Sequence, residues 1–337
     1  MATLVFVAVL FAAACHAGWN ALIKIGLDPL STTILIAIGA AAVSLAGLPF
    51  AGMPASAAWP WLIGSAVIHL LYFAALIESY RFGDLGQVHP LARGSAPLMT
   101  AVASTLLIGE HLSLRGWAGI VTLGVGVLLL SARGGRDIMQ LDRRAVGFAL
   151  LTALAICTYS VTDGIGARVS QNPQSYVLCL LVANAVVLVP YGLRRDRKAV
   201  SATVRRFWLR GLVGGALQAL SYGIVLWAMT LAPIAIVAGL RETSVLFGAI
   251  IAIVALKEPL RVARIVAAAL IACGAGIDPN AVNERAPRLA NASARCRSRR
   301  SRPAPFSFSN PEIAPARRAR SRRNDGRARS CPQWPGA

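Results

Sequence analysis

The chain has 337 residues, of which 56% are hydrophobic and only 14% are charged. Its mean hydropathy of +0.61 is too high for a soluble globular protein of this length. The net charge of +20 would suit a nucleic-acid-binding protein, but residues 278–337 hold 14 Arg and 4 acidic residues, which is half of the excess. A soluble nucleic-acid-binding domain would spread basic residues over a folded surface, so we expect no nucleic-acid partner.

Ten apolar runs follow one another along the chain, and most are long enough to cross a bilayer core of about 30 Å as helices. They cover residues 2–23, 31–51, 58–78, 85–108, 115–132, 145–166, 174–193, 211–229, 232–256 and 262–277. The first run has no Lys or Arg before it, which favours a first membrane helix over a cleaved signal peptide. The pattern predicts an all-α, multi-pass integral membrane protein with ten transmembrane helices.

An internal duplication relates the two halves of these runs. Arg93 and Arg241 lie 148 residues apart, and so do Glu110 and Glu258. The same offset relates Leu98 to Leu246, Leu112 to Leu260 and Gly126 to Gly274. A constant offset without gaps is typical of a repeat. Because a charge inside a membrane helix normally faces a cavity or a partner, the two equivalent arginines predict one shared central site.

The duplication divides the chain into four parts. We predict a first repeat of five helices over 1–132, a basic connecting loop over 133–144 and a second five-helix repeat over 145–277. The tail, 278–337, is rich in Arg, Ser, Pro and Ala and is predicted to be disordered. Two interpretations of the tail stand side by side: it binds anionic membrane lipid, or it is the product of a frameshift.

Arginine offers a planar fork of donors that suits a carboxylate, phosphate or phosphonate, so the pair predicts an anionic or zwitterionic solute. In the alternative, each arginine is neutralised by a buried acid, Glu242 or Glu78, or caps backbone carbonyls. Glu110 lies at a helix end, where it is expected to cap a helix or to pair with Arg115.

Polar residues of other runs extend the candidate site. His16 and Asn20 are spaced by four, as are Gln218 and Tyr222, so each pair shares a helix face. Asp163 is the nearest polar counterpart of Asn20 in the second half. These side chains either line a cavity or hold helices together. The candidate substrate-binding residues are Arg93, Arg241, Glu242, Asn20, His16, Gln218, Tyr222 and Asp163.

Motifs for other kinds of chemistry are missing from the sequence. It has no P-loop, its six cysteines have no CxxC spacing, and its four His form no cluster. The runs contain no nucleophile–base set. We therefore expect no catalytic residues, no metal site and no cofactor, and we predict a secondary transporter rather than an enzyme.

Five segments resemble paired EamA domains of the drug/metabolite transporter superfamily over roughly residues 1–277. They are HAGWNALIK (16–24), PLARGSAP (90–97), GEHL (109–112), RET (241–243) and KEPL (257–260). The resemblance implies two inverted five-helix repeats in the bacterial inner membrane and alternating access to a small-molecule solute. Similar proteins also serve as carrier-lipid flippase components, so a lipid-directed membrane protein is the alternative.

Two indications of orientation disagree. The basic loops at 133–144 and 194–210 lie on one side of a ten-helix chain, which places them in the cytoplasm and both termini outside. The resemblance implies that both termini are cytoplasmic. No sequence feature fixes the oligomeric state.

Overall fold

The computed structural model of the chain describes residues 2–24, 28–82, 85–132 and 142–256, together with 269, 270 and 273. The described part is helical and contains no β-strand. Most of the connecting loop, the KEPL segment with Glu258, most of the last predicted run and the tail lie outside the described residues.

The described helices are arranged in two groups. The first comprises α1 (Ala2–Lys24), α2 (Pro29–Ala51), α3 (Trp59–Phe82), α4 (Leu85–Ala103) and α5 (Leu114–Ala132). The second comprises α6 (Arg143–Val169), α7 (Pro173–Leu231), α8 (Ile234–Arg241) and α9 (Ser244–Leu256). A short 3₁₀ turn, Ser56–Ala58, precedes α3, and a π-helical turn, Ser104–Ile108, continues α4.

Six helices among the described residues are long and apolar enough to cross a membrane. One of them, α7, contains two predicted runs, 174–193 and 211–229, and its backbone leaves helical geometry at Asp196 and Phe207 between them. The predicted run 232–256 is instead divided into α8 and α9, with the break at Glu242 and Thr243. The count of ten helices therefore stays a prediction.

Side-chain caps and prolines fix where several helices begin. The Asp28 carboxylate accepts from the Ser31 N–H at 2.8 Å, and Pro29 occupies the first turn of α2. Asp142 caps α6 through the Arg144 N–H, and Asn172 caps α7 through two backbone N–H groups. These caps satisfy donors that a helix start leaves unpaired, so the sequence specifies these boundaries locally.

The distribution of side chains is that of a membrane protein. Leu4, Val7 and Phe11 share one face of α1 and are each more than half exposed. Several buried hydroxyl groups instead donate to backbone carbonyls, as the Thr100 hydroxyl does to Ala96 O at 2.8 Å. Apolar outer faces with internally satisfied backbone are what a bilayer requires of a spanning protein.

Glycines bring α2 and α7 into backbone contact. A Cβ at Gly39 would lie 1.9 Å from the Gly211 carbonyl oxygen, and a Cβ at Gly215 would lie 2.1 Å from the Ala40 nitrogen. Backbone atoms cannot move aside as a flexible side chain can. The Gly211/Gly215 spacing therefore permits the close approach seen in small-residue membrane interfaces.

The two halves interlock through equivalent pairings. Under the 148-residue offset, α6 corresponds to α1, and the last part of α7 corresponds to α3. Helix α1 packs on α7, where the Ser221 hydroxyl donates to Ala12 O at 2.7 Å, and α6 packs on α3. Helix α4 packs on both α6 and α8. This arrangement brings the charged residues of α4 and α8 to the interface between the halves.

Candidate functional site

A buried cluster of three charges lies where α4 meets the α8–α9 break, and we call Arg93, Arg241 and Glu242 the central cluster. Arg93 Nη1 donates to both Glu242 carboxylate oxygens, each at 3.0 Å. Arg241 Nη2 lies 3.6 Å from Glu242 Oε1. The Arg241 and Glu242 side chains are 4% and 1% exposed. The two arginines that the duplication relates therefore converge on one carboxylate.

Helix α1 supplies a second partner for Arg93. Arg93 Nη2 lies 2.6 Å from His16 Nε2. Because a guanidinium only donates, His16 Nε2 must accept, so His16 is neutral with its proton on Nδ1. Asn20 Nδ2 donates to the His16 carbonyl at 2.8 Å, which ties Asn20 to its own helix. Arg93 thus has close partners on both terminal nitrogens.

Arg241 is bound much more loosely than Arg93. Its Nη2 lies 3.5 Å from Tyr159 Oη, and its guanidinium carbon lies 5.9 Å from the centre of the Tyr159 ring. Its Nε is buried and has no hydrogen-bond partner among the described residues. Native proteins rarely leave a buried donor unpaired, because its desolvation costs about 1–3 kcal/mol. The free energy that the unpaired Nε of Arg241 costs the folded protein therefore indicates a functional role for this residue.

The charges of the central cluster do not balance. Two arginines face one carboxylate, which leaves one excess positive charge in a buried place. Taking a charge out of water costs several kcal/mol, which only good pairing offsets. The excess charge and the unpartnered Nε belong to the same residue, Arg241.

Asp163 of α6 forms a second buried centre beside the first. It is fully buried and accepts from Tyr176 Oη at 2.9 Å and from Tyr222 Oη. On the neighbouring helix α3, Ser65 Oγ lies 3.2 Å from His69 Nδ1. Within the described part of the chain, the hydrogen bonds to the carboxylate therefore come from neutral hydroxyl groups and no cation pairs with it directly.

Two tyrosines connect Asp163 with the central cluster. Tyr159 lies one helical turn before Asp163, stacks on His69 with a centroid distance of 4.4 Å, and contacts Arg241. Tyr222 of α7 donates to Asp163. The two centres therefore form one continuous polar interior.

The structure places Gln218 one turn before Tyr222 on α7, with a buried Oε1 that has no partner among the described residues. Trp19 Nε1 of α1, beside His16, is in the same situation within the described part of the chain. A surface pocket lined by Ser201, Ala202, Arg205 and Arg206 contains none of the predicted site residues.

Sequence reasoning missed the tyrosines that complete the interior. Tyr159, Tyr176 and Tyr72, whose ring centre lies 5.9 Å from that of Tyr159, were not among the candidates. A signal existed for two of them. Tyr159 lies four residues before Asp163, and Tyr72 lies three residues after His69, so each shares a helix face with a polar residue.

A second arginine–glutamate pair, which we call the end cluster, consists of Arg168 and Glu110. Arg168 Nη2 donates to Glu110 Oε1 at 2.7 Å and to Ala232 O at 3.0 Å, while its Nε donates to Met229 O at 2.9 Å. Both Glu110 oxygens accept from the Ile234 N–H. Glu110 therefore caps α8 as expected, but its cationic partner is Arg168.

Comparisons with known proteins place the chain in a family. The sequence profile of the EamA-like transporter family matches residues 3–132 and 143–277. A solved structure titled "Crystal structure of protein" has a TM-score of 0.64 and 21% identity, covering 82% of this chain and 95% of its own. It shows the fold alone, and no curated protein matches the chain. The chain belongs to the EamA-like transporter family of the drug/metabolite transporter superfamily, and it is a multi-pass membrane transporter.

Proposed function

We propose that the protein is a secondary transporter that moves a small anionic or zwitterionic metabolite across the bacterial inner membrane. The observation that carries the proposal is Arg241, a buried arginine with an unpartnered Nε in a cluster with one excess positive charge. An intramembrane charge of this kind marks a substrate or ion pathway. A carboxylate or phosphate group would supply the acceptors that Arg241 lacks.

The polar residues have different roles in binding such a solute. Arg241 binds the anionic group, and Gln218 contributes a further polar contact. Arg93, Glu242 and His16 position Arg241 through the bonds that they make to each other. Asn20 holds the backbone carbonyl of His16. Tyr222 and Asp163 form the side of the site that faces α6 and α7.

The charge balance favours an anion over a cation. A solute with one negative charge would bring the central cluster to neutrality in a region of low dielectric, where such an interaction is strong. A zwitterion would place its carboxylate at Arg241 and its ammonium group towards Glu242. A cation would add to the existing excess, so we expect cations to be excluded.

The position of the cluster supports alternating access between two inverted five-helix repeats. Arg93 belongs to the first repeat, while Arg241 and Glu242 belong to the second. A solute bound among them lies at the repeat interface, which is where transporters with inverted repeats bind their substrates. Rocking one repeat against the other would then change the Arg93–Glu242 contact and open the site to one side at a time.

Uptake into proteoliposomes tests the proposal with labelled inorganic phosphate, succinate and glutamate as probes. Wild-type protein should accumulate at least one probe, and Arg241→Ala should abolish that uptake. Arg195→Ala, which removes an exposed arginine, is the matched control and should transport normally. Uptake that survives in Arg241→Ala would overturn the role of Arg241. Movement of a fluorescent anionic lipid, with no uptake of soluble probes, would establish the lipid-directed alternative instead.

A further inference from the structure

Asp163 is a buried carboxylate whose charge matters to its neighbours. When it is ionised, its single negative charge balances the excess positive charge of the central cluster, whose Arg241 contacts Tyr159 one turn before Asp163 on α6. When it is protonated, that compensation is lost and the interior carries a net positive charge. The protonation of Asp163 and the binding of an anion are therefore linked through charge.

We propose that Asp163 is a proton-binding site coupled to the anion site, so that the transporter carries one proton together with each anion. The inference rests on the proposed function for its anion. The step is a simple association: a proton from water binds a carboxylate oxygen of Asp163, giving a neutral carboxyl group. Because each bound species favours the other, the two would cross the membrane in the same direction.

The hydrogen bonds of Asp163 supply the means of coupling. Tyr176 and Tyr222 both donate to the ionised carboxylate. After protonation the carboxyl group needs an acceptor, and a tyrosine hydroxyl can serve as either donor or acceptor. Tyr159, one turn before Asp163 on α6, has its hydroxyl group 3.5 Å from Arg241 Nη2, so a change at Asp163 can reach the anion site along this helix.

The titratable groups around Asp163 come from the packed helices α3 and α7. Helix α3 contributes His69, whose Nδ1 donates to the Ser65 carbonyl at 2.9 Å and therefore carries a proton. Helix α7 contributes Tyr176 and Tyr222. Among the described residues, Arg241 contacts Tyr159 and both arginines of the central cluster pair with Glu242 rather than with Asp163.

Infrared spectroscopy tests proton binding without any ligand. Wild-type protein should show a carboxyl C=O band that grows as pH falls and is lost in Asp163→Asn. Asp142→Asn is the matched control, because Asp142 is an exposed cap at the start of the same helix, and it should keep the band. A spectrum in which Asp163→Asn removes no titrating band would overturn the proton site.

Calorimetry in two buffers of different ionisation enthalpy tests the coupling, with methanesulfonate as an anion that does not itself titrate. At a pH above the titration of Asp163, wild-type protein should take up one proton per bound anion, and its affinity should fall by roughly tenfold for each further pH unit. Asp163→Asn, which stays neutral, should bind methanesulfonate with no proton uptake and no such dependence on pH.

A second variant keeps the test decisive if Asp163→Asn does not fold. Tyr222→Phe removes one donor to the ionised carboxylate, so the fall in affinity should begin at a higher pH. Binding of methanesulfonate to wild-type protein without proton uptake would overturn the coupling and leave the proposed function intact. If methanesulfonate does not bind at all, the coupling fails together with the anion site, while the infrared titration still decides the proton site.

Discussion

The protein contains two arginine–glutamate clusters that differ in balance. In the end cluster one arginine faces one carboxylate, Arg168 donates to two backbone carbonyls as well, and Glu110 accepts from the start of α8. In the central cluster two arginines face one carboxylate, and Arg241 keeps an Nε without a partner among the described residues.

This difference separates a structural pair from a binding site made of the same residue types. The end cluster joins the end of α7 to the start of α8, and its charges and donors are matched within the protein. The central cluster is matched only when ionised Asp163 or a bound anion supplies a further negative charge. Burial alone therefore does not identify a functional arginine, whereas the balance of charge and hydrogen bonds around it does.

The largest effect should come from breaking the end cluster. Glu110→Ala strands the buried part of Arg168 and removes the acceptor of the Ile234 N–H, so the free energy of unfolding should fall by about 3–5 kcal/mol. Thermal and denaturant melts in detergent measure this loss. Glu110→Gln keeps an acceptor for the Ile234 N–H and should recover part of the lost free energy of unfolding. A reduced methanesulfonate affinity of the folded fraction would place Glu110 in the binding site instead.

A substitution in the central cluster should behave differently, because an anion can repair it. Glu242→Gln leaves two buried arginines without their carboxylate and should lower the melting temperature. An anion at 100 times its Kd stabilises a folded protein by about 2.7 kcal/mol, and the removed charge should strengthen binding further. Methanesulfonate should therefore raise the melting temperature of Glu242→Gln more than that of wild type. If methanesulfonate raised the melting temperatures of Glu242→Gln and Glu110→Ala equally, the proposed difference between the clusters would be wrong.

The smallest effect should come from Tyr159, which supports Arg241 from one side. Tyr159→Phe removes a hydroxyl group 3.5 Å from Arg241 and should weaken anion binding by about 1 kcal/mol, or roughly fivefold. Tyr159→Leu also removes the aromatic face and should weaken binding further. Titration calorimetry compares the two variants. If Tyr159→Leu and Tyr159→Phe bound the anion with identical affinities, the ring face would not support Arg241.

The sequence predicted the parts of the protein that depend on local pattern. Hydropathy indicates membrane helices because lipid demands apolar faces, and the gapless offset relates Arg93 to Arg241 through their positions in the chain alone. The sequence did not predict the pairings that depend on tertiary packing. Arg168 lies 58 residues from Glu110 in the chain, and the helix break at Glu242 falls inside a single apolar run of the sequence.

The excess charge is tested most directly by measuring methanesulfonate affinity and melting temperature in parallel. The proteins compared are wild type, Arg241→Ala, Arg241→Lys and the double variant Arg241→Ala/Glu242→Gln. Arg241→Ala should lose at least about 30-fold in affinity yet keep its melting temperature, because Arg93 still neutralises Glu242. Arg241→Lys should be intermediate, since it keeps the charge without the planar fork. The double variant restores one excess charge at Arg93 and should recover part of the affinity. Unchanged affinity with a lowered melting temperature in Arg241→Ala would contradict the binding role and leave Arg241 a structural partner of Glu242.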